Sequence, residues 1–527
     1  MENTTTMIDT EAATMIHTDT VADASATADE GKIRIPGFKV LGLKKICGTN
    51  DYQVKLLFEN KKVGLKENVS LSMTEVKSPA KFRKKIPPAF TTPYKPSQII
   101  EHLQYAIYQE LNHPGFTVGY ALPQGFSFVE NELFYVMGDS IFPTVACEKD
   151  RSVSSNQFVA ENPEDTKFFL PTSRVRKIKF ERALDWVRAY CAQGAAQTVL
   201  FLCAMTPYMK YILPDVFDKE SVVPAYVVGQ SGFGKTEQIK LLRTTEVMYG
   251  LNLESDMKEI LIGLASFPDR AVQIDDLNKT ASDSIRAKKE SKVSSLLQMG
   301  SSAAGAIRSK DVNVDLGNTA LLFSAEYVLP NYSTINRTVL LYIRRAFDPK
   351  ILTWLQQNRA LYGCFLIRFI SMICCHCEKL QEILTEYHDN EPFQIPNVEA
   401  AESYVGFERV FRHYKILRLT AYAIGCCISD PEKRDELSCM FKEATNICAR
   451  DTLEAVRKVK ESDVVVAFLE IFEHKQIAKS VEKYFEQKEK NFSSFTKIIC
   501  ISRVITWRDI CPGSCRDRLL LKQYLRS

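Results

Sequence analysis

The sequence predicts an α/β fold of the P-loop NTPase type, in which a parallel sheet presents a glycine-rich loop at its carboxyl edge. The first observation is the motif Gly229–Thr236, which follows the short apolar stretch Ala225–Val228. The second is a pair of later apolar stretches, Ala271–Ile274 and Thr319–Phe323, each followed by polar residues. Polar groups that follow parallel strands collect at the edge of the sheet where ligands bind. We therefore expect a nucleotide site at this edge.

The glycine-rich motif matches the phosphate-loop pattern G-x-x-x-x-G-K-[ST] at every fixed position. Its residues are Gly229, Gln230, Ser231, Gly232, Phe233, Gly234, Lys235 and Thr236. The glycines allow a tight curl in which successive backbone N–H groups face a polyphosphate. Lys235 is expected to bind the β and γ phosphates of ATP, and Thr236 to bind Mg²⁺. A helix is predicted from Thr236 to Val247, and these flanks argue against a chance match in a glycine turn.

An acidic pair follows the second apolar stretch, about forty residues after Lys235. This spacing suits a strand adjacent to the phosphate-loop strand in one compact sheet. Asp275 is expected to hold Mg²⁺ through water, and Asp276 to orient and deprotonate the attacking water. Two acids in this arrangement favour hydrolysis over transfer to a bound acceptor. The alternative is an ordinary Asp-rich turn after a strand.

The third apolar stretch is followed by Ser324, Ala325 and Glu326. Ser324 is the candidate sensor of the γ-phosphate because it lies at the predicted carboxyl edge. Arg337 precedes a further apolar strand, Thr338–Ile343. It is a candidate arginine finger that acts on the site of a neighbouring subunit, with a surface ion pair as the equal alternative.

A basic segment lies between the second and third strands, and Arg308 and Lys310 are its last cations. They stand between small residues and the alternating run Val312–Leu316, a pattern typical of the tip of a β-hairpin. Such a tip is suited to contact a nucleic-acid backbone. A solvated loop is the alternative.

The chain of 527 residues is too long for one core, and its pattern suggests four regions. Residues 1–31 carry seven acids and no Lys or Arg, which indicates a disordered acidic tail rather than a secretory signal. Residues 32–173 are predicted to form an α+β domain, and residues 174–347 the ATPase domain with a helical preface. Residues 348–527 are predicted to be mainly helical and to end in either a small basic module or a solvated helical face. The basic run Lys77–Lys85 is either a solvated face or a phosphate-backbone contact.

Composition narrows the functional class only slightly. Apolar residues make up 45% and charged residues 25%, which excludes a fibrous or wholly disordered protein. The net charge of +4 means that any nucleic-acid surface must be local. The apolar stretches Thr198–Met205 and Tyr362–Cys377 are too short to span a bilayer, so a cytoplasmic protein without a membrane partner is expected.

The fifteen cysteines lack the regular spacing of a disulfide scaffold and indicate reduced thiols in an intracellular protein. The cluster Cys374–Cys377 and the pair Cys511 and Cys515 are candidate metal ligands. Buried structural thiols are the favoured alternative.

The order of these motifs resembles that in the compact AAA+ motors of superfamily 3 and the MCM-like helicases. The motifs are, in turn, the loop, the double acid, the basic hairpin, the sensor strand and the following arginine. The resemblance is strongest to the helicase-like ATPases of phage, conjugative and cassette mobile elements, and covers roughly residues 220 to 345. It implies a ring, usually a hexamer, with ATP at subunit interfaces and single- or double-stranded DNA in the channel. By this resemblance Lys235 and Thr236 match the loop, Asp275 and Asp276 the acidic pair, Arg308 and Lys310 the channel hairpin, and Arg337 the trans arginine.

The chain departs from these motors at two positions. Ser324 stands where they usually carry Asn, and Asp276 stands where MCM-like motors have Glu. Both side chains are shorter, so nucleotide binding is expected to be affected less than hydrolysis.

The leading hypothesis for function is an oligomeric, nucleic-acid-stimulated ATPase that acts as a DNA helicase or translocase of a mobile element. A second hypothesis is a regulatory or defence NTPase switch that assembles on nucleotide binding and signals to a protein partner. A nucleotide or polynucleotide kinase is a third, but the double acid and the hairpin have no obvious purpose in such an enzyme.

Overall fold

The computed structural model describes most of the chain between residues 38 and 473. The described residues are 38–46, 52–60, 65–86, 95–112, 119–129, 131–138, 140–142, 158–160, 178–217, 221–244, 251–265, 268–277, 282–300, 307–309, 312–314, 318–391, 393–394 and 407–473. The predicted acidic tail, Lys310, Cys511, Cys515 and the basic terminal segment lie outside them.

The amino-terminal part contains two small sheets and three helices. Its elements are β1 (Phe38–Ile46), β2 (Tyr52–Asn60), β3 (Leu65–Ser72), α1 (Met73–Val76), α2 (Pro79–Lys85), α3 (Pro96–Leu111), β4 (Gly119–Leu122), β5 (Gly125–Val129), β6 (Glu132–Met137), β7 (Ser140–Phe142) and β8 (Phe158–Ala160). One mixed sheet has the order β3-β2-β1-β4-β8, and the other has the order β5-β6-β7. The sequence pattern predicts strands at residues 52–58 and 69–73 and a helix after Ser97; the first strand and the helix are confirmed, and the second strand ends one residue earlier, at Ser72.

Alternation along β2 explains why the helices cover one face of the mixed sheet. Val54, Leu56 and Phe58 lie on the same face and are buried against Leu103 and Ile107 of α3. In β2 every second residue is apolar, as in a half-buried strand, and in α3 the apolar residues recur at helical spacing. The basic run falls largely on α2, where its cations are exposed.

The middle part of the chain forms a five-stranded sheet flanked by helices. Its elements are α4 (Phe180–Cys191), α5 (Ala195–Met205), the 3₁₀ turns Thr206–Met209 and Asp215–Phe217, β9 (Ala225–Gly229), α6 (Lys235–Leu241), β10 (Leu251–Asn252), α7 (Met257–Ala265), β11 (Ala271–Leu277), α8 (Asp283–Gly300), β12 (Ile307–Ser309), β13 (Val312–Val314), β14 (Ala320–Ala325), α9 (Tyr332–Ile335) and β15 (Val339–Ile343). The sheet order is β10-β11-β14-β9-β15, and every neighbouring pair is parallel. The predicted α/β class with a parallel sheet is confirmed.

The sheet order corrects one expectation. The strand carrying Asp275, β11, was predicted to lie next to the loop strand β9, but β14 lies between them. The connections from β9 to β11 and from β11 to β14 are crossovers long enough to leave space for a later strand, so sequence spacing does not fix adjacency. The consequence is that Ser324 on β14 stands between the glycine-rich loop and Asp275.

The helical preface supplies the core beneath this sheet. Every residue of α5 from Ala196 to Met205 is buried, and the helix is apolar on all sides. A helix with this composition is typical of a protein interior. The helix predicted after the loop is shorter than expected, because α6 ends at Leu241 rather than continuing to Val247.

Helices dominate the described residues after β15, as the sequence predicts. They are α10 (Pro349–Gln357), α11 (Arg359–Cys375), α12 (Cys377–Asn390), α13 (Glu408–Cys426) and α14 (Pro431–Glu473). Among the described residues, no single helix is long and apolar enough to cross a membrane; α10 and α11 meet those criteria only together and are bent by 62° at their junction. Cys374 is buried in α11, and Cys377 Sγ donates to the carbonyl of Tyr211 at 3.2 Å. Burial raises the pKa of Cys377 to about 11, as suits a structural thiol.

A buried polar cluster fixes the β5-β6-β7 sheet to the amino end of β11. Asp269, with φ of 53°, accepts a hydrogen bond from Phe126 N to its Oδ2 at 2.8 Å. The hydroxyl of Tyr135 donates to the carbonyl of Asp269 at 3.1 Å. Arg270, 1% exposed, donates to Gln124 Oε1 at 2.9 Å. These residues, which we call the clasp, lie at the edge of the sheet opposite the glycine-rich loop.

The chain divides into two compact units. The first comprises Met1–Val328 and Asn336–Thr452, and it includes both amino-terminal sheets and the parallel sheet. The second comprises Leu329–Ile335 and Leu453–Ser527. Within the second unit, the Lys460 ammonium lies 5.7 Å from the ring centroid of Tyr332. The domain boundaries predicted from the sequence stay predictions.

Candidate functional site

The glycine-rich loop joins β9 to α6 and has a backbone that requires glycine. Gly232 and Gly234 have φ of 82° and 73°, in the left-handed region. At Gly229, an added Cβ would lie 2.8 Å from the carbonyl oxygen of Ile343 on the neighbouring strand. The three glycines of the motif are therefore needed for the fold of the loop as well as for the approach of a ligand.

Lys235 is the first residue of α6 and is 9% exposed. Its Nζ donates to the carbonyl oxygens of Gly229 at 2.7 Å and of Gln230 at 2.8 Å. Burial lowers the pKa of Lys235, and the carboxylates of Glu326 and Asp275 oppose that effect. The ammonium thus lies over the loop, between the loop carbonyls and two acidic side chains.

Asp275 brings three elements together. Thr236 Oγ1, at the start of α6, donates to Asp275 Oδ2 at 3.1 Å. Ser324 Oγ, on β14, donates to Asp275 Oδ1. Ser324 is 3% exposed, whereas Asp275 is half-buried. The structure therefore places Thr236, Asp275 and Ser324 in direct contact, as their predicted positions at one sheet edge require.

A cavity of about 280 Å³ opens at this edge of the sheet. Its lining comes from the loop, α6 and the carboxyl ends of β11 and β14: Ser231, Gly232, Gly234, Lys235, Thr236, Glu237, Asp275, Leu277, Ser324, Ala325 and Glu326. Backbone N–H groups, one ammonium, three hydroxyls and three carboxylates thus line a common space. Such a set of donors suits an anion that is accompanied by a cation.

A second layer of polar residues supports the loop from inside the protein. Gln238 of α6 is fully buried, and its Nε2 donates to the carbonyl of Phe233 at 3.0 Å. Gln197 of α5 donates through Nε2 to Gln238 Oε1 at 3.0 Å. Tyr190 of α4 donates through its hydroxyl to the Gln238 carbonyl at 3.2 Å. The helical preface therefore holds the loop in place through Gln238.

Asp275 also has a supporting neighbour on its own strand. Gln273 is 4% exposed, and its Nε2 lies 3.5 Å from Asp275 Oδ2. Arg243 donates to Gln273 Oε1 at 2.9 Å, which fixes the orientation of the amide. Burial lowers the pKa of Arg243, while Glu237 and Asp275 act in the opposite direction.

The other predicted site residues lie elsewhere or outside the described side chains. Asp276 lies in β11, but its side chain is not among those described. Arg308 lies within β12, paired with Asn313 of β13, rather than at the tip of the hairpin as predicted. The strand continues to Ser309, which pairs with Val312, so Arg308 lies inside the ladder. Lys310 falls outside the described residues.

Arg337 precedes β15 and does not join the cluster around Asp275. In the parallel register Val339 pairs with Ala225 and Ile343 pairs with Gly229, so Arg337 lies at the amino edge of the sheet. Four strand residues separate the two edges by about 13 Å. Arg337 is therefore remote from the cavity of its own chain.

Sequence reasoning missed three polar residues of this region as site residues: Glu326, Gln238 and Gln273. Glu326 carries a readable signal, because it follows Ser324 at the end of the same strand. The two glutamines carry no such signal, because an isolated glutamine in a helix or strand does not show from the sequence pattern alone what it will bind.

No protein-family model matches the chain, and no characterised protein matches it in sequence. Among solved structures, the chain is similar to that of SCCmec type IV Cch, an active helicase, with 13% identity and a TM-score of 0.53. The similarity covers 82% of this chain and 78% of that chain. At this identity the likeness concerns the fold. The chain thus has a mixed α/β fold with a parallel sheet, followed in the described residues by a helical region, and this fold is similar to that of the solved structure.

Proposed function

We propose that the protein is an ATP-hydrolysing, oligomeric motor of the AAA+ P-loop type that acts on DNA as a helicase or translocase. The observation that carries the proposal is the convergence of Lys235, Thr236, Asp275 and Ser324 on one cavity beside the glycine-rich loop. This edge of the parallel sheet is suited to bind a polyphosphate, because it presents an ammonium, two hydroxyls and a carboxylate.

The donor set also fits Mg²⁺. Thr236 Oγ1 and Asp275 Oδ2, 3.1 Å apart, are oxygen atoms of the kind that Mg²⁺ prefers, and they leave room for water and phosphate ligands. When bound, Mg²⁺ would neutralise charge on the β and γ phosphates. In this proposal Asp275 holds the metal, Ser324 orients Asp275, and Lys235 binds the phosphates.

A catalytic role for Arg337 would require an oligomer. A group that is remote from the cavity of its own chain can serve catalysis only at the cavity of another copy. A ring, hexameric by the family resemblance, would place Arg337 of one copy at the cavity of the next. In this ring the β12–β13 hairpin would contact DNA through Arg308 and Lys310. The proposed setting is the cytoplasm of a cell that carries a mobile element.

ATPase activity measured with and without single-stranded DNA, together with mass by light scattering, tests this proposal. We expect Mg²⁺-dependent hydrolysis that DNA stimulates, from an assembly larger than a dimer. Lys235→Ala should abolish nucleotide binding or turnover, because no other described cation lines the cavity. Lys240→Ala is the matched control, since Lys240 on the same helix pairs with Glu237 at 2.5 Å and should be dispensable.

Two outcomes would decide against a DNA motor. A monomer whose ATPase rate is unchanged by DNA would refute the helicase hypothesis. DNA-independent turnover, with assembly triggered by another protein, would favour the alternative of a regulatory or defence switch.

A further inference from the structure

We propose, taking DNA as the substrate from the function proposed above, that the outer surface of α2 and α3 binds a single DNA strand. Cations of α2 and of the residue before it bind the phosphates, and two tyrosines of α3 stack on the bases. This surface, which we call the basic platform, consists of Lys77, Lys81, Arg83, Lys84, Lys85, Tyr105 and Tyr108, all of them exposed. It lies in the amino-terminal part of the chain, outside the parallel sheet.

The charge of the basic platform is concentrated on one short segment. Between Met73 and Ile86 the sequence carries five cations and a single carboxylate, Glu75. Lys85 lies 3.7 Å from Glu75, and the other four cations of the segment form no ion pair with the described residues. The net charge of this segment therefore equals the +4 of the whole chain. Such a local excess of cations attracts a phosphate backbone.

Helical geometry places three lysines of the basic platform side by side. Lys81, Lys84 and Lys85 stand at positions i, i+3 and i+4 of α2, which are neighbours on a helix surface. Like charges at this spacing repel one another and destabilise a helix. The arrangement therefore works against the stability of α2, and an anion bound across the three side chains would relieve the repulsion.

The lysines and the tyrosines share the outer side of the helical layer. Phe82 of α2 and Leu103 of α3 are fully buried in one core cluster against the mixed sheet. Because successive helical residues are about 100° apart, the second residue after each of them points about 160° away from that core. These residues are Lys84 and Tyr105. Both therefore project from the side of the layer that faces away from the sheet.

The two tyrosines are the most exposed large hydrophobic side chains among the described residues. Tyr105 and Tyr108 are 61% and 62% exposed and stand at positions i and i+3 of α3. Exposed rings offer flat faces on which unpaired bases stack, whatever their sequence. Bases in a duplex are already stacked on one another, so the basic platform suits a single strand. Glu101, which is exposed one turn before Tyr105, opposes this ligand by its charge.

An anionic membrane is the other polyanion that a basic helix can bind, and α2 lacks the surface for it. A helix that lies in a membrane interface inserts an apolar face among the lipids. The one large apolar residue of α2 is Phe82, which is buried in the protein core. The cations of α2 are therefore suited to DNA rather than to lipid.

Fluorescence anisotropy of a labelled oligothymidine tests the basic platform, with the full chain and without nucleotide, over a series of salt concentrations. An oligomer of about 20 nucleotides exceeds a typical single-strand site of roughly 4–16 nucleotides. The double variant Lys81→Ala/Lys84→Ala should weaken binding and reduce the slope of log Kd against log salt by about 1.4, because each phosphate contact contributes about 0.7. Tyr105→Ala should raise the Kd at least about fivefold with an unchanged slope. Glu101→Gln should lower the Kd.

Controls separate the basic platform from a general effect of charge and from the proposed function. Lys379→Ala/Lys442→Ala removes the same charge from exposed positions on α12 and α14 and should leave the slope unchanged. The ATPase rate without DNA should be the same in all variants. A wild-type slope in Lys81→Ala/Lys84→Ala, a wild-type Kd in Tyr105→Ala, or tighter binding to phosphatidylserine vesicles than to DNA would overturn the basic platform. If the wild type binds single-stranded DNA, only the platform falls; a wild type that binds no DNA overturns the proposed DNA motor with it.

Discussion

Replacing Gln238 by Leu should loosen the glycine-rich loop from the helices beneath it. Gln238 is fully buried and lies between Gln197 Nε2, which donates to it, and the carbonyl of Phe233, which accepts from it. Leu has a similar volume but can make neither bond. The substitution therefore removes the partner of one buried donor, Gln197 Nε2, and of one half-buried acceptor, the Phe233 carbonyl, with little change in packing.

The magnitude follows from the number of orphaned groups. Each buried polar group left without a partner costs about 1–3 kcal/mol. Gln238→Leu leaves the buried Gln197 Nε2 without a partner and should cost about 1–3 kcal/mol for that group plus a smaller amount for the half-buried Phe233 carbonyl, whereas Gln197→Leu orphans only Gln238 Oε1 and should cost about 1–3 kcal/mol. The double variant orphans the Phe233 carbonyl alone. Its cost should therefore fall short of the sum of the single costs by at least ~2 kcal/mol.

Urea unfolding followed by tryptophan fluorescence measures these differences. Trp186 is a suitable reporter because it is fully buried and stacks on Tyr190, 5.5 Å away between ring centroids. Gln193→Leu is the matched control, since its half-buried amide bonds only weakly, at 3.4 Å, to Ala189. Additive single costs, or a Gln238→Leu variant no less stable than Gln193→Leu, would refute the reasoning.

Two further predictions concern the oligomer and the acid stability of the helical region. Arg337→Ala should bind ATP with wild-type affinity and lose turnover; full ATPase activity in this variant would remove Arg337 from the proposed interface. Burial, with Arg409 and Arg412 nearby, lowers the pKa of His413 to about 3. Between pH 6.5 and 3 the unfolded chain therefore binds a proton that the folded chain does not, and lowering the pH to 5 should reduce the free energy of unfolding by about 2 kcal/mol. His413→Gln should flatten this dependence in urea titrations at pH 7.5 and 5, and an unchanged slope would contradict the assignment.

Most strands of the parallel sheet can be predicted from the local pattern of apolar and polar residues. The strands β9, β11, β14 and β15 are short apolar runs, and the polar residues at their ends were expected to meet at one edge. Thr236, Asp275 and Ser324 do meet there. This succeeds because side chains that follow parallel strands share an edge whatever the order of the strands.

What the sequence left open depends on contacts between distant segments. The insertion of β14 between β9 and β11 is decided by how crossover helices pack, which no short window reveals. Gln238 lies between Glu237 and Ile239 in α6, and its partners Gln197 and Tyr190 belong to two helices that are more than 40 residues earlier in the chain. Its importance therefore emerges only in three dimensions.

The clasp at Asp269 and Arg270 makes β11 a rigid connection between the β5-β6-β7 sheet and the carboxyl edge of the parallel sheet. One end of the strand is held by the β5-β6-β7 sheet through Phe126, Tyr135 and Gln124. Asp275 stands about 13 Å beyond Ala271, the first residue of β11, and the register with β14 is regular up to Ile274. Since an extended strand barely stretches or shortens, an axial displacement at the end of this regular stretch would be transmitted to its other end. The strand therefore couples the carboxyl edge of the parallel sheet to the β5-β6-β7 sheet.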